Sequence, residues 1–212
     1  MKNMNKWGSS TISSMAILIA FTLISVSVAS IMINQPDINS TKNIDKDFEK
    51  IMNQVLDEVS TYFQIKDIMG KFYNQNEEQK IMKIAILVKP LIIQDIDITD
   101  MTIKLSNSNS VKILYNSKNA DFIKSYSLFE HPIWKNLTEN NFGFIATLDQ
   151  DKSIVENNII NEDYAYIIIK LSNDFSIVKG ESLDITLFPY SGISRTITIK
   201  APMPIKQVVT FD

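Results

Sequence analysis

The chain has 212 residues, is 45% hydrophobic, and carries a formal net charge of −3. So small and mixed a charge, with no basic run outside the leader, does not suggest a nucleic-acid binder, and the absence of cysteine excludes a disulfide framework and thiolate chemistry. With a single histidine, His131, a zinc centre or a Ser-His-Asp hydrolase would have to work from one imidazole.

The chain opens with a short cationic leader containing Lys2 and Lys6, then runs from Trp7 to Pro36 without a charge. At the centre of that run lies Met15 to Ile33, MAILIAFTLISVSVASIMI. As a helix this segment would extend about 28 Å, near the hydrocarbon thickness of a bilayer. Small residues recur four apart, Ala16 with Ala20 and Ser25 with Ala29, which would let a second helix approach closely. A conventional signal peptide would be cut after Ser27-Val28-Ala29, but the apolar run continues through Ile31, Met32 and Ile33. Gly8, directly behind the leader, offers a different cut that would leave the apolar segment on the mature chain. Pro36 disfavours helical geometry at Gln35 and would kink or interrupt the helix. Periodicity then resumes: Phe48, Ile51, Met52, Val55, Leu56, Val59 and Tyr62 fall at helical spacing, predicting a second amphipathic helix over residues 44–62.

Beyond Phe63 the period becomes that of strands. Ile65 to Tyr73 is one candidate, with Gly70 as an expected bulge. Lys80 to Leu91 is a second. Asp95 to Leu105 alternates in two phases, as a strand with a bulge would. Val111 to Tyr115 follows, and Asn116 to Asn141 reads as a long surface loop. Phe142 to Leu148 is a strand, and Asp149 to Ser153 its turn. Tyr164 to Leu171, YAYIIIKL, reads as a buried central strand. Leu183, Ile185 and Leu187 alternate with polar residues, Ile193 to Lys200 alternates again, and Gln207 to Phe211 is a short edge strand. About eight short strands separated by turns predict an antiparallel sandwich or barrel. The expected class is therefore α+β: a long hydrophobic helix over residues 9–62, then an immunoglobulin-like β-sandwich or barrel over residues 63–212.

Chemistry-bearing groups are sparse. Asp149 with Asp151 and Asp95 with Asp97 are paired carboxylates outside any recognisable metal loop, and they read as solvated turn and strand residues. His131 reads as a loop residue. There is no Gly-rich phosphate loop. Two N-x-[ST] triplets occur, Asn39-Ser40-Thr41 and Asn136-Leu137-Thr138, and they matter if the body is exported.

The sequence resembles the archaellins, the subunits of the archaeal flagellum. Lys6-Trp7-Gly8 followed by Ser9 stands where that family is cleaved by a prepilin-like peptidase, with Trp7 replacing the commoner second basic residue. Ser9 to Asn34 stands where it has its uncharged helix. The likeness continues through Ile86-Leu87-Val88-Lys89-Pro90 and Ile96-Asp97-Ile98-Thr99-Asp100, and ends in Phe188-Pro189-Tyr190-Ser191-Gly192 and Ala201-Pro202. Ser13 lies where bacterial type IV pilins have a Glu, and Leu91-Ile92-Ile93-Gln94 stands where archaellins often have small residues and Gly.

The resemblance implies a leader of residues 1–8 cut between Gly8 and Ser9, and a homo-oligomeric filament polymerised through the apolar helix. It implies a precursor held in the cytoplasmic membrane, an extracellular product, and as partners the peptidase and the archaellum assembly machinery. It implies neither enzymatic activity nor a cofactor. Outside the cell an apolar helix can be buried only against copies of itself, at up to about 2 kcal/mol for each side chain. Of the two sequons, Asn136 in the loop is expected to carry a glycan more fully than Asn39 beside the crowded apolar segment. The alternatives are a membrane-anchored accessory protein of the same machine and an archaeal adhesion pilin.

Overall fold

Alternation along each strand decides which side chains face inward, and in this chain the inward rows meet in one core. A computed structural model describes residues 50–51, 63–75, 78–190, 192–202 and 206–211. The chain divides into two units, Met1–Asp57 and Glu58–Asp212, and every strand below belongs to the second. Its elements in order are β1 (Phe63–Gln75), β2 (Glu78–Pro90), β3 (Ile96–Asp97), β4 (Thr102–Ser106), β5 (Val111–Phe122), β6 (Asn141–Leu148), the short helix α1 (Ser153–Asn157), β7 (Ile159–Ile160), β8 (Tyr164–Lys170), β9 (Ile177–Val178), β10 (Ser182–Phe188), β11 (Arg195–Lys200) and β12 (Val208–Phe211). Single 3-10 turns occupy Leu128–Glu130, Pro132–Lys135 and Asn173–Phe175.

Ten strands form one nearly closed sheet in the order β11-β10-β4-β5-β6-β8-β2-β1-β12, with β9 also pairing β2. β3 and β7 make a separate two-stranded ribbon. The pairing is antiparallel except between β5 and β6, which run parallel. The α+β expectation is therefore corrected: the described protein is almost entirely β, and its main sheet curls around the core instead of forming two sheets of an immunoglobulin-like sandwich. Among the described residues no long helix occurs, and none is long and apolar enough to cross a membrane. The long N-terminal helix assigned to residues 9–62 lies outside the described residues, apart from Lys50 and Ile51.

The inward rows are Ile84, Ile86 and Val88 on β2, Ile103 and Leu105 on β4, and Phe142, Phe144 and Ala146 on β6. Ala165, Ile167 and Ile169 on β8 and Leu183, Ile185 and Leu187 on β10 complete them. The continuous apolar run of β8 has a direct cause. Its alternate residue Ile168 faces outward, but into a second buried cluster with Ala85, Ile145, Phe129, Ile133, Trp134 and Leu137. Both faces of β8 are covered, so both must be apolar.

That second cluster corrects the loop reading of Asn116–Asn141. β5 continues to Phe122, and the remaining segment lies over the sheet, burying Phe129, Ile133, Trp134 and Leu137. Lys118, at φ 57, kinks β5 and shifts its register against β6 between Asn116 and Ala120. Polar Asn116 to Asn119 at this kink interrupt the alternation that would otherwise have marked the strand.

The two-phase stretch from Asp95 to Leu105 is likewise corrected. Ile96–Asp97 and Thr102–Ser106 are separate strands in separate sheets, joined by a turn in which Asp97 Oδ1 accepts from Thr99 N at 2.8 Å. Gly70 is not the bulge either; the register shifts of the β1–β2 pair fall between Ile65 and Asp67 and between Lys71 and Phe72. A Cβ at Gly70 would lie 2.9 Å from Phe211 Cε2 and 3.0 Å from Ile81 Cγ2, so glycine lets the ring of the terminal strand lie against β1. Gly70→Val is expected to displace β12 and lower stability by about 1–3 kcal/mol, the usual cost of overpacking. Hydrogen exchange at Val208–Phe211 checks it: protection there should fall while β8 stays protected.

Candidate functional site

His131 sits within the overlying segment, 2% exposed, and both ring nitrogens are occupied. Ile133 N–H donates to Nδ1 at 3.3 Å, which leaves Nε2 as the protonated nitrogen, 2.8 Å from the Phe122 carbonyl. The imidazole thus fastens the segment to the end of β5. Trp134 Nε1–H donates to the Leu128 carbonyl at 2.8 Å. Lys83 donates to the Phe129 carbonyl at 3.1 Å and lies 4.8 Å from the centre of the Trp134 ring. Lys71 pairs with Glu130. Burial, then the neighbouring Lys71 charge, pushes the Lys83 ammonium below the usual lysine range. Hydrogen bonding and charge from Lys71 hold Glu130 below the usual carboxylate range. These groups clamp a segment over the sheet.

The sequon Asn136-Leu137-Thr138 closes this segment. Asn136 is exposed, in right-handed helical backbone just after the second 3-10 turn, and its N–H donates to the Ile133 carbonyl at 3.0 Å. Leu137 is buried and anchors the triplet, while Thr138 is exposed. Asn39, Gly8 and Ser9 lie outside the described residues.

Three carboxylates meet at the other end of β6. Asp149 follows β6, Asp151 precedes α1, and Asp163 precedes β8; each offers an oxygen, and these oxygens lie within 4.8 Å of one another. This corrects the reading of Asp149 as a solvated turn residue: it is 8% exposed, and Asp163 is 7% exposed. Asp149 Oδ1 accepts from Ile154 N at 3.4 Å, while its Oδ2 is buried without a hydrogen-bond partner. Ser153 Oγ donates to Asp163 Oδ2 at 3.4 Å, and Asp151 Oδ1 accepts from Ser153 N at 3.0 Å. Burial raises both the Asp149 and the Asp163 carboxyl above the usual range, with nearby carboxylates adding to it. The Ser153 backbone and hydroxyl hold Asp151 below that range.

Clustered hard oxygens around an unpaired, buried one form the donor set that a divalent cation such as calcium fits. Asp163 escaped the sequence reading because it lies far along the chain from Asp149 and belongs to no loop motif.

The sign of the electrostatics gives a prediction. A folded-state pKa raised above the unfolded value makes the ionised group destabilising at neutral pH, an effect relieved as pH falls through the folded pKa. In chelator at pH 7, Asp149→Asn should therefore raise the unfolding temperature. It should also abolish any rise that calcium produces in the parent. A variant that responds to calcium as the parent does would place the ion elsewhere.

The paired Asp95 and Asp97 are structural: Asp95 Oδ1 accepts from Asn161 Nδ2 at 2.8 Å, and Asp97 holds its turn.

The sequence matches the family model of archaeal-type flagellin over residues 8–199. The chain belongs to the archaeal-type flagellin family. Two solved structures share the fold of this flagellin. One is the crystal structure of archaeal flagellin FlaB1 from Methanocaldococcus jannaschii, at 16% identity and a TM-score of 0.62, covering 70% of this chain and 95% of that one. The other is the archaeal flagellum of Methanospirillum hungatei strain JF1, at 10% identity and a TM-score of 0.51, covering 95% of this chain and 98% of that one. This archaeal flagellin is a structural subunit of the extracellular archaellum filament.

Proposed function

We propose that this subunit polymerises through its N-terminal segment, residues 9–62, whose first part to Pro36 is uncharged, after a prepilin-like peptidase cuts between Gly8 and Ser9. The single observation that carries this reading is the absence of charge from Trp7 to Pro36, directly behind the cationic leader. Before cleavage the segment holds the precursor in the cytoplasmic membrane. After export no lipid is available to it, and copies of itself are the one apolar surroundings present at stoichiometric concentration. The assembly machinery of the archaellum moves it from one setting to the other, and the β body, residues 63–212, faces outward. Its part is mechanical, with no catalytic step. Deleting the gene should abolish swimming and leave surface adhesion intact; retained swimming with lost adhesion would favour an adhesion pilin instead.

Asn136 is the glycan acceptor in this reading. Its amide stands in solvent on a segment clamped to the sheet, and a glycan there would project from the body. Glycopeptide mass spectrometry of filaments should find Asn136 occupied far more than Asn39. A glycan on Asn39 with Asn136 bare would reverse the assignment of inner and outer surfaces.

A further inference from the structure

The outward layer of the sheet is covered unevenly. Over β6, β8 and β2 it carries the clamped segment and its buried cluster. At β5 it is bare: Val111, Ile113 and Tyr115 are 65%, 52% and 62% exposed. Register places Ser106, Lys104 and Thr102 of β4 beside them, and Phe188 of β10 beside Thr102. The solvent face of an antiparallel sheet is ordinarily polar, so an aromatic and two β-branched residues in one row mark a contact surface.

A second apolar surface lies after Pro90. Ile92 is 37% exposed and Ile93 68% exposed, side by side in the connection from β2 to β3. β8 and β6 stand between β2 and β5 in the sheet, so this pair, which follows β2, and the bare row on β5 are separate surfaces of the body.

We infer that the two surfaces dock on one another between neighbouring subunits, Ile92 and Ile93 of one copy lying on Val111, Ile113 and Tyr115 of the next. The occupant is a second copy because the chain is a filament subunit, so each outer body is held among others like it. It is also because one chain carries two separate exposed apolar surfaces, Ile92 with Ile93 and Val111 with Ile113 and Tyr115, each of which needs cover in an assembly. Four of the five side chains are β-branched and stiff, so they lose little freedom on docking. Since the surfaces differ, the contact is heterologous. It does not close on itself and can repeat along a filament beside the contacts of the N-terminal segment.

The chain has no cysteine, so introduced thiols report the contact alone. A full-length chain with both Ile93→Cys and Ile113→Cys is expressed in the host, and its sheared filaments are oxidised. The expected result is a ladder of dimers, trimers and higher multimers that collapses to monomer on reduction. Each single variant should give little dimer, and co-assembled single variants should give dimer and no ladder. The co-assembly keeps the test decisive if the double variant does not polymerise. Monomer alone in oxidised filaments would overturn the inference. So would dimers from Ile113→Cys alone, which mean a symmetric contact, or an adduct with a different host protein. Electron microscopy of the same preparations reports filament formation separately, so failure of the contact is distinct from failure of polymerisation.

Discussion

Replacing Leu23 by Asp is expected to abolish filaments while leaving the β body folded. Leu23 lies near the middle of the uncharged run. In the proposed filament that run is surrounded by copies of itself. A carboxylate there would be buried without a partner, at a cost of several kcal/mol for each ion. Protonation would relieve part of that cost, but burying the neutral acid without hydrogen bonds still costs about 1–3 kcal/mol. The defect recurs in every subunit, so it multiplies along the polymer. Leu23→Met keeps volume and polarity and should assemble normally. The measurement is electron microscopy of cells expressing each variant, with immunoblotting to show that the chain is made. Filaments of normal number and length from the Asp variant would refute burial of this segment.

Phe144→Ala should have the largest effect on the β body. Phe144 is fully buried on β6, with its ring edge-on to Phe142 at 5.7 Å between centroids. β6 is flanked by the parallel β5 and the central β8, so a cavity there has little room to collapse. Truncation of a buried Phe costs about 3–5 kcal/mol. For a domain of this size that lowers the unfolding temperature by roughly 10 °C. Thermal unfolding of the purified full-length chain in detergent, followed by its β-sheet circular dichroism, gives the number. A shift of only a degree or two would mean that the sheet does not close around this ring. As a contrast, Tyr115→Ala on the bare face should leave the unfolding temperature almost unchanged, because its ring is solvated in the isolated subunit.

The parts of the fold that sequence made legible are those whose environment is periodic. Leu183, Ile185 and Leu187 alternate because one face of β10 meets the core, and Tyr164–Leu171 lacks alternation because both faces of β8 are covered. What was not legible depends on distant partners. Nothing local in Phe129 or Trp134 says that they cover the outward face of β6 and β8: single 3-10 turns have no period long enough to read. The kink at Lys118 hid half of β5 behind four polar residues. The parallel pairing of β5 with β6, and the packing of Phe211 on Gly70, join segments far apart in the chain. The carboxylate site was half visible in Asp149 and Asp151; its third member became evident when β8 returned beside β6. For function the balance is reversed. The uncharged run and its cationic leader speak for polymerisation from sequence alone, while the β body supplies candidate surfaces.

The central claim is that this chain builds an archaellum filament after losing its leader. Intact-mass analysis of sheared, purified filaments, with N-terminal sequencing, tests it most directly. The account predicts this chain as a stoichiometric component beginning at Ser9, with any added mass assigned to Asn136. Filaments that lack the chain, or a mature chain beginning at Ser30 without the apolar segment, would contradict it.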